Sequence, residues 1–197
     1  MTHSNKKINR LTPTNEDTLG PYYPISLCDN DSMDMTNIRT GIIHKALGEK
    51  ITINGCVKDI NGNLANGCLL EFWQANSEGI YRRPDTESHE KLDPWFTGYA
   101  RHRTKDGNFA LTTIKPGAAD GRAPNITLTL FSDGIMRVVT QLFFADDAAN
   151  NDDPLLLSIS EDLRERLMIN KTGDHEYEIE IIMAGENETP FFDDLLS

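Results

Sequence analysis

From Lys50 onward the chain is written in short runs that alternate apolar and polar residues, each closed by turn-forming residues. A run of period two buries one face of a strand and cannot bury one stripe of a helix, so this rhythm restricts the chain to a sheet-based fold. Ile51, Ile53 and Val57 share one face, and Cys68 to Gln74 is an apolar run of strand length. Tyr99 to Thr104 and Asn108 to Ile114 flank Lys105-Asp106-Gly107, a hairpin signal. Asn61-Gly62-Asn63 is a second turn; a hairpin centred there would set Cys56 and Cys68 opposite each other on two strands. Further on, Ile126, Leu128 and Leu130 oppose Thr127 and Thr129, Met136 to Phe144 reads as another strand, and Tyr177, Ile179 and Ile181 oppose Glu178 and Glu180. Helix-like spacing occurs between Pro154 and Ile169, with a short helix expected after Ser160. Together these signals predict an all-β fold, an antiparallel β-sandwich with long loops and a short C-terminal helix. Ala75 to Pro94 is too long for a simple turn, and a connection of that length in an all-β domain is often functional.

The text before Lys50 differs. Pro13, Gly20, Pro21 and Pro24 impose an extended arm, and the polar, basic stretch Met1 to Arg10 has no apolar run behind it, so it reads as a tail and not as a signal peptide. The expected organisation is a tail and arm over 1–24 and a single sandwich domain over 25–197; Cys28 to Gly48 gives mixed signals. Net charge is -12 and the sequence pI about 4.8, which disfavours nucleic acid and anionic membranes as partners. No apolar run approaches the length of about 18 residues that a membrane helix needs. The same negative field repels anionic ligands, so a bound carboxylate would require local positive charge. Three cysteines, Cys28, Cys56 and Cys68, form an odd and sparse set, which fits a reducing, cytoplasmic setting with the thiols unpaired.

Ordered motifs carry a family resemblance. Ile53 to Gly62, continuing through Leu70-Glu71-Phe72-Trp73-Gln74-Ala75-Asn76 to Gly79-Ile80-Tyr81, resembles the signature of the intradiol ring-cleavage dioxygenases. Thr18-Leu19-Gly20-Pro21-Tyr22 resembles that family's N-terminal arm, Asp93 to Gly98 its pre-strand motif, and Thr113-Ile114-Lys115-Pro116-Gly117 a central motif. Phe143-Phe144 to Asp153-Pro154, and Gly185 to Asp193 as a C-terminal strand, resemble the alpha-type chains of protocatechuate 3,4-dioxygenase within the family.

The resemblance implies chemistry at a ferric ion held by two tyrosinates and two histidines, on which a catechol chelates and is activated towards dioxygen. The first tyrosine position matches Tyr81. The second falls on Ala119, and the His-x-His pair falls on Asn125 and Thr127. Three of the four ligand types are therefore replaced, and one phenol cannot hold a transition metal alone. That pattern implies an alpha-type subunit that does not bind iron and completes the site of an iron-holding beta-type partner, which would carry the Fe(III) and take a catecholic substrate. The arm residues Thr18, Gly20, Pro21 and Tyr22 would then line the rim of the partner's pocket. An arginine expected near the substrate carboxylate is matched by Asp133, a charge reversal that at close range changes binding by a few kcal/mol at intermediate dielectric, of order 332/εr. Arg137 is a candidate to compensate. Asp133 keeps open the alternative of a catalytically lost homologue that acts as a scaffold or binds a small aromatic. The remaining charge clusters, Asp146-Asp147, Asp152-Asp153, Arg82-Arg83 and Arg101-His102-Arg103, are expected to be solvated surface.

Overall fold

A computed structural model describes residues 33–37, 45–132 and 136–192. Among the described residues, eight strands follow one another as β1 (Lys50–Lys58), β2 (Leu69–Trp73), β3 (Tyr99–Arg103), β4 (Asn108–Ile114), β5 (Asn125–Ser132), β6 (Met136–Phe144), β7 (Met168–Gly173) and β8 (Glu176–Ile182). Their spatial order is β3-β2-β5-β6-β7-β8-β1-β4. The two central neighbours, β6 and β7, share only the pairs Phe143–Met168 and Phe144–Ile169. The ladder folds over at that weak join, and its halves pack face to face: Phe72 on β2 meets Phe109 on β4 with ring centroids 5.2 Å apart, and Phe144 on β6 meets Tyr177 on β8 edge-on at 5.4 Å. The expected sandwich is present.

Alternation places the core as the sequence requires. Ile51, Ile53 and Val57 from one half, with Leu70, Phe72, Ile126, Leu128 and Leu130 from the other, enter one buried cluster. Gly55, on the same face as Ile53, leaves room for the Phe109 ring that lies over it; a Cβ there would fall 2.3 Å from Phe109 Cζ. Gln74, fully buried at the end of β2, donates from Nε2 to the Ile114 carbonyl at 3.0 Å, and its Oε1 accepts from the Thr113 hydroxyl at 2.9 Å, which ties the two halves together.

The pairings depart from expectation in three ways. First, neither predicted hairpin forms a ladder. The turn at Gly62 closes (Gly62 N–H to Asp59 carbonyl, 3.0 Å), but β1 and β2 then part into different halves. Likewise β3 and β4 flank the predicted turn yet stand at opposite ends of the strand order. Cys56 and Cys68 consequently do not face each other: Cys68 lies in the core near Met183 and Cys56 beside Glu180. Second, β1–β8 and β6–β7 are parallel within an otherwise antiparallel arrangement. Third, the stretch from Pro154 to Ile169 divides into α1 (Pro154–Ser158) and α2 (Glu161–Glu165), broken by Ile159 in extended conformation, and ends in β7. The C-terminal segment expected as a strand follows β8 instead. It runs beside β6, where the Phe192 N–H donates to the Val139 carbonyl at 2.8 Å and the Thr140 hydroxyl to the Pro190 carbonyl at 2.7 Å.

Candidate functional site

The outward face of the β3-β2-β5-β6 half holds three of the four ligand positions in or beside a set of cross-strand rows. Register aligns Tyr99, Trp73, Thr127 and Gln141 across the four strands, and places Asn125 beside Phe143 one row away. Paired residues of a ladder point to the same face, so these side chains are neighbours. Tyr81, carried in by the long Ala75 to Pro94 connection, packs against Trp73 with ring centroids 4.5 Å apart and planes tilted by 39°.

That connection is fixed by its own polar groups. Asn76 Oδ1 accepts from the Glu78 and Ile80 N–H groups, both at 2.9 Å, while Nδ2 donates to the Lys91 carbonyl at 2.8 Å. Gly79 has φ 76° and lies so close to the Ala118 carbonyl that a Cβ would meet that oxygen at 2.0 Å. Any other residue there would push Tyr81 and the Ala118–Ala119 backbone apart. Arg82 is no free surface charge, since it donates to the Phe96 and Asp93 carbonyls. Arg83 sits 5.7 Å from the Tyr81 ring centroid and 3.6 Å from Asp120.

Ala119 opens a tight turn through Asp120 (φ 52°) and Gly121 (φ 73°), closed by the Arg122 N–H donating to the Ala119 carbonyl at 2.8 Å. The turn delivers Arg122 onto Asp153 as a two-pronged pair at 2.9 and 3.0 Å. Asp153 is 1% exposed and also accepts from the Ala123, Leu155 and Leu156 N–H groups. Burial alone would raise its pKa, but Arg122 and these amides outweigh burial and hold the carboxyl below its ordinary range. Asp153 is thus an internal anchor and helix cap, not the solvated surface charge expected; the same holds for Arg101, which pairs with Glu71.

Asn125 and Thr127 are both buried. Asn125 donates from Nδ2 to the Ala123 carbonyl at 2.7 Å, and its Oδ1 has no partner. Gln141 Oε1, also buried, has none either. The side chains at the four positions, one phenol, a methyl group with no donor atom, a carboxamide and a hydroxyl, do not fit a ferric ion, which needs several anionic or imidazole ligands. Burial, with the Asp120 charge second, pushes the Tyr81 phenol above its ordinary pKa and so disfavours the phenolate such an ion requires. Among the described residues no three His, Cys, Asp or Glu side chains converge as a metal site. The sequence reading missed Gln141, although its signal was present: an amide in the middle of an apolar strand. Thr18, Gly20, Pro21, Tyr22 and Asp133 lie outside the described residues. Arg137, the candidate to compensate Asp133, pairs in register with Phe131 on the same outward face.

A folded-over eight-stranded sandwich with a loop-borne tyrosine over one outer face defines the structural class. Known proteins share the fold. The dioxygenase domain of a carbohydrate-binding fusion protein from Streptomyces sp. SirexAA-E superposes with a TM-score of 0.57 at 24% identity, over 79% of this chain and 97% of that one. 3-Chlorocatechol 1,2-dioxygenase from Rhodococcus opacus 1CP gives 0.56 at 19%, over 76% and 64%. These likenesses concern the fold. In sequence, a family profile described as Dioxygenase matches residues 19–185. The protocatechuate 3,4-dioxygenase alpha chain of Pseudomonas putida is 34% identical over 203 residues, covering 94% of this chain and 98% of that one. The beta chain from Burkholderia cepacia is 35% identical over 160 residues, covering 73% and 68%. The chain belongs to the intradiol ring-cleavage dioxygenase family.

Proposed function

We propose that this chain is the alpha-type subunit of a protocatechuate 3,4-dioxygenase-like enzyme, cytoplasmic, which assembles with an iron-holding beta-type chain and completes that chain's site without binding iron itself. The observation that carries this reading is the donor set at Tyr81, Ala119, Asn125 and Thr127, which is too poor in anionic and imidazole groups for a ferric ion. It is supported by the end-to-end match to alpha chains, against the shorter match to a beta chain. The partner would hold the Fe(III), and a catecholic acid would be cleaved there with dioxygen. On this reading Thr18, Gly20, Pro21 and Tyr22 form part of the rim of the partner's pocket, and 25–197 acts as one domain.

The test is purification of the chain alone and after co-expression with a beta-type homologue. Alone it should be colourless and inactive; together the two should co-elute with tyrosinate–iron absorption and ring-cleaving activity. Stoichiometric iron and turnover in the isolated chain would defeat the proposal. A second reading, a homologue that lost catalysis and serves as a scaffold, is favoured by one feature, the acidic Asp133 where a cation is expected. It predicts that a beta-type chain changes neither assembly nor activity.

A further inference from the structure

The open side of the sandwich lies between β3 and β4, the two terminal strands of the order. Residues 33–35 span part of it. The Met35 carbonyl accepts from the Thr97 N–H at 3.0 Å, just before β3. On β4, the Met35 N–H donates to the Thr112 carbonyl at 2.9 Å and the Thr112 N–H to the Met33 carbonyl at 2.8 Å. The Met35 side chain is fully buried, and Met33 packs against the same core. Asp34 bridges Thr112 in parallel, so the chain before Met33 heads along the β4 edge towards Asn108. That edge is open. Gly107 and Lys115, at either end of β4, bond towards β1, so the odd positions face β1 and the even ones present N–H and C=O outward, as Thr112 does. Ala110 is exposed, and none of the described residues pairs with its two outward groups. Two residues further, the Asn108 N–H is taken by Asp106 Oδ1 at 3.1 Å. Met33, His102, Lys105, Asn108, Phe109 and Ala110 line a groove of about 680 Å³ along this stretch.

We propose that residues 29–32 dock in this groove as a continuation of the Met33–Met35 strand, so that the chain's own N-terminal segment covers the open side of the sandwich. Three features select this occupant over a foreign strand. The segment is joined to the groove at Met33, so docking is intramolecular and costs little closure entropy. Continuing the observed pattern by two residues sets the Met33 N–H against the Ala110 carbonyl and the Asp31 carbonyl against the Ala110 N–H. The Asp31 N–H then faces the Asn108 carbonyl, and the Asp106 cap ends the ladder there. Asp31 also shares the face of Met33 and Met35 by period two, which brings its carboxylate into the groove beside Lys105. The docked segment covers a strand edge that otherwise invites pairing with other chains. It also fixes the β4 edge as the place from which the N-terminal arm departs.

The experiment is amide hydrogen exchange and NOE spectroscopy on the full isotope-labelled chain. The Ala110 amide should exchange about 100-fold slower than an unpaired amide, equally at low and high protein concentration, and should show a backbone NOE to residue 31 or 32. Asp31→Lys should speed Ala110 exchange by about tenfold relative to the Leu111 amide, which faces β1 and reports on the fold. Asp31→Pro, which removes the N–H opposite Asn108, is a second variant with the same expected direction. Ala110 exchanging at the unpaired rate would overturn the inference, as would an Ala110 rate that neither variant moves. Protection without the NOE would overturn it in favour of another occupant, and protection that grows with concentration in favour of a second copy. Each of these failures leaves the subunit reading intact, since that reading turns on iron and a partner and not on this edge.

Discussion

Two buried polar sites lie a few residues apart on this chain and have opposite character. At Arg122–Asp153 every acceptor is used: the guanidinium takes both carboxylate oxygens, and three backbone amides take what remains. At Asn125 and Gln141, two acceptors are buried with nothing to accept. A satisfied buried network rigidifies the structure around it, whereas an unsatisfied one costs stability that a bound molecule can restore. The first site therefore contributes to the architecture, and the second weakens it by two unpaired buried acceptors.

The comparison is most exposed to test at Asp153. Asp153→Ala strands Arg122 and unpins the start of α1, and should cost about 3–5 kcal/mol, a Tm decrease of roughly 10 °C. The pH dependence follows from the sign of the shift. The folded carboxyl titrates below the unfolded one, so its contribution is present above the unfolded value of about 4 and is lost as pH falls below that. Acid unfolding monitored by circular dichroism should begin in that window, and the Ala variant should show a flatter dependence. Next in size, Gln74→Leu removes the buried amide that links the two halves, takes its donor from the Ile114 carbonyl and leaves the Thr113 hydroxyl only the Met35 sulfur as acceptor, for a loss of about 1–3 kcal/mol in denaturant melts. Gln141→Leu should act in the opposite direction. It replaces an orphaned amide by an apolar group of similar size, and should leave stability unchanged or raise it by about 1 kcal/mol. A loss as large as at Gln74 would mean that the two sites are alike after all. Smallest is Tyr99→Phe, which removes a hydroxyl donating to Glu71 at 2.8 Å on the open edge, worth roughly 0.5 kcal/mol.

Much of the fold could be read from alternation, because period two reports which residues face the core whatever their strand pairs with. Ile51, Ile53, Val57, Leu128 and Tyr177 were all legible in that way. Pairing was not. Asn61-Gly62-Asn63 and Lys105-Asp106-Gly107 encode a reversal of the chain, but a reversal leads as readily across the sandwich as along one sheet, and here both lead across. The site was legible where a residue type carries the meaning, as at Tyr81, Asn125 and Thr127. It was illegible where meaning comes from a partner distant in sequence. Asp153 looks like its exposed neighbour Asp152 until Arg122, 31 residues earlier, is set beside it.

The parallel neighbours β1 and β8 have a consequence for how the protein is made. The strand that opens the described sandwich lies between β4 and the strand that closes it, with Thr52 beside Glu176 and Lys58 beside Ile182. A nascent chain emerging from the ribosome thus carries one open edge of β1 until more than a hundred further residues have been synthesised. Such long-range closure slows folding and leaves a sticky strand waiting in the meantime. Production of this polypeptide should accordingly be sensitive to translation rate and to chaperone supply, and a stop codon before Glu176 should yield aggregates and not a smaller soluble product.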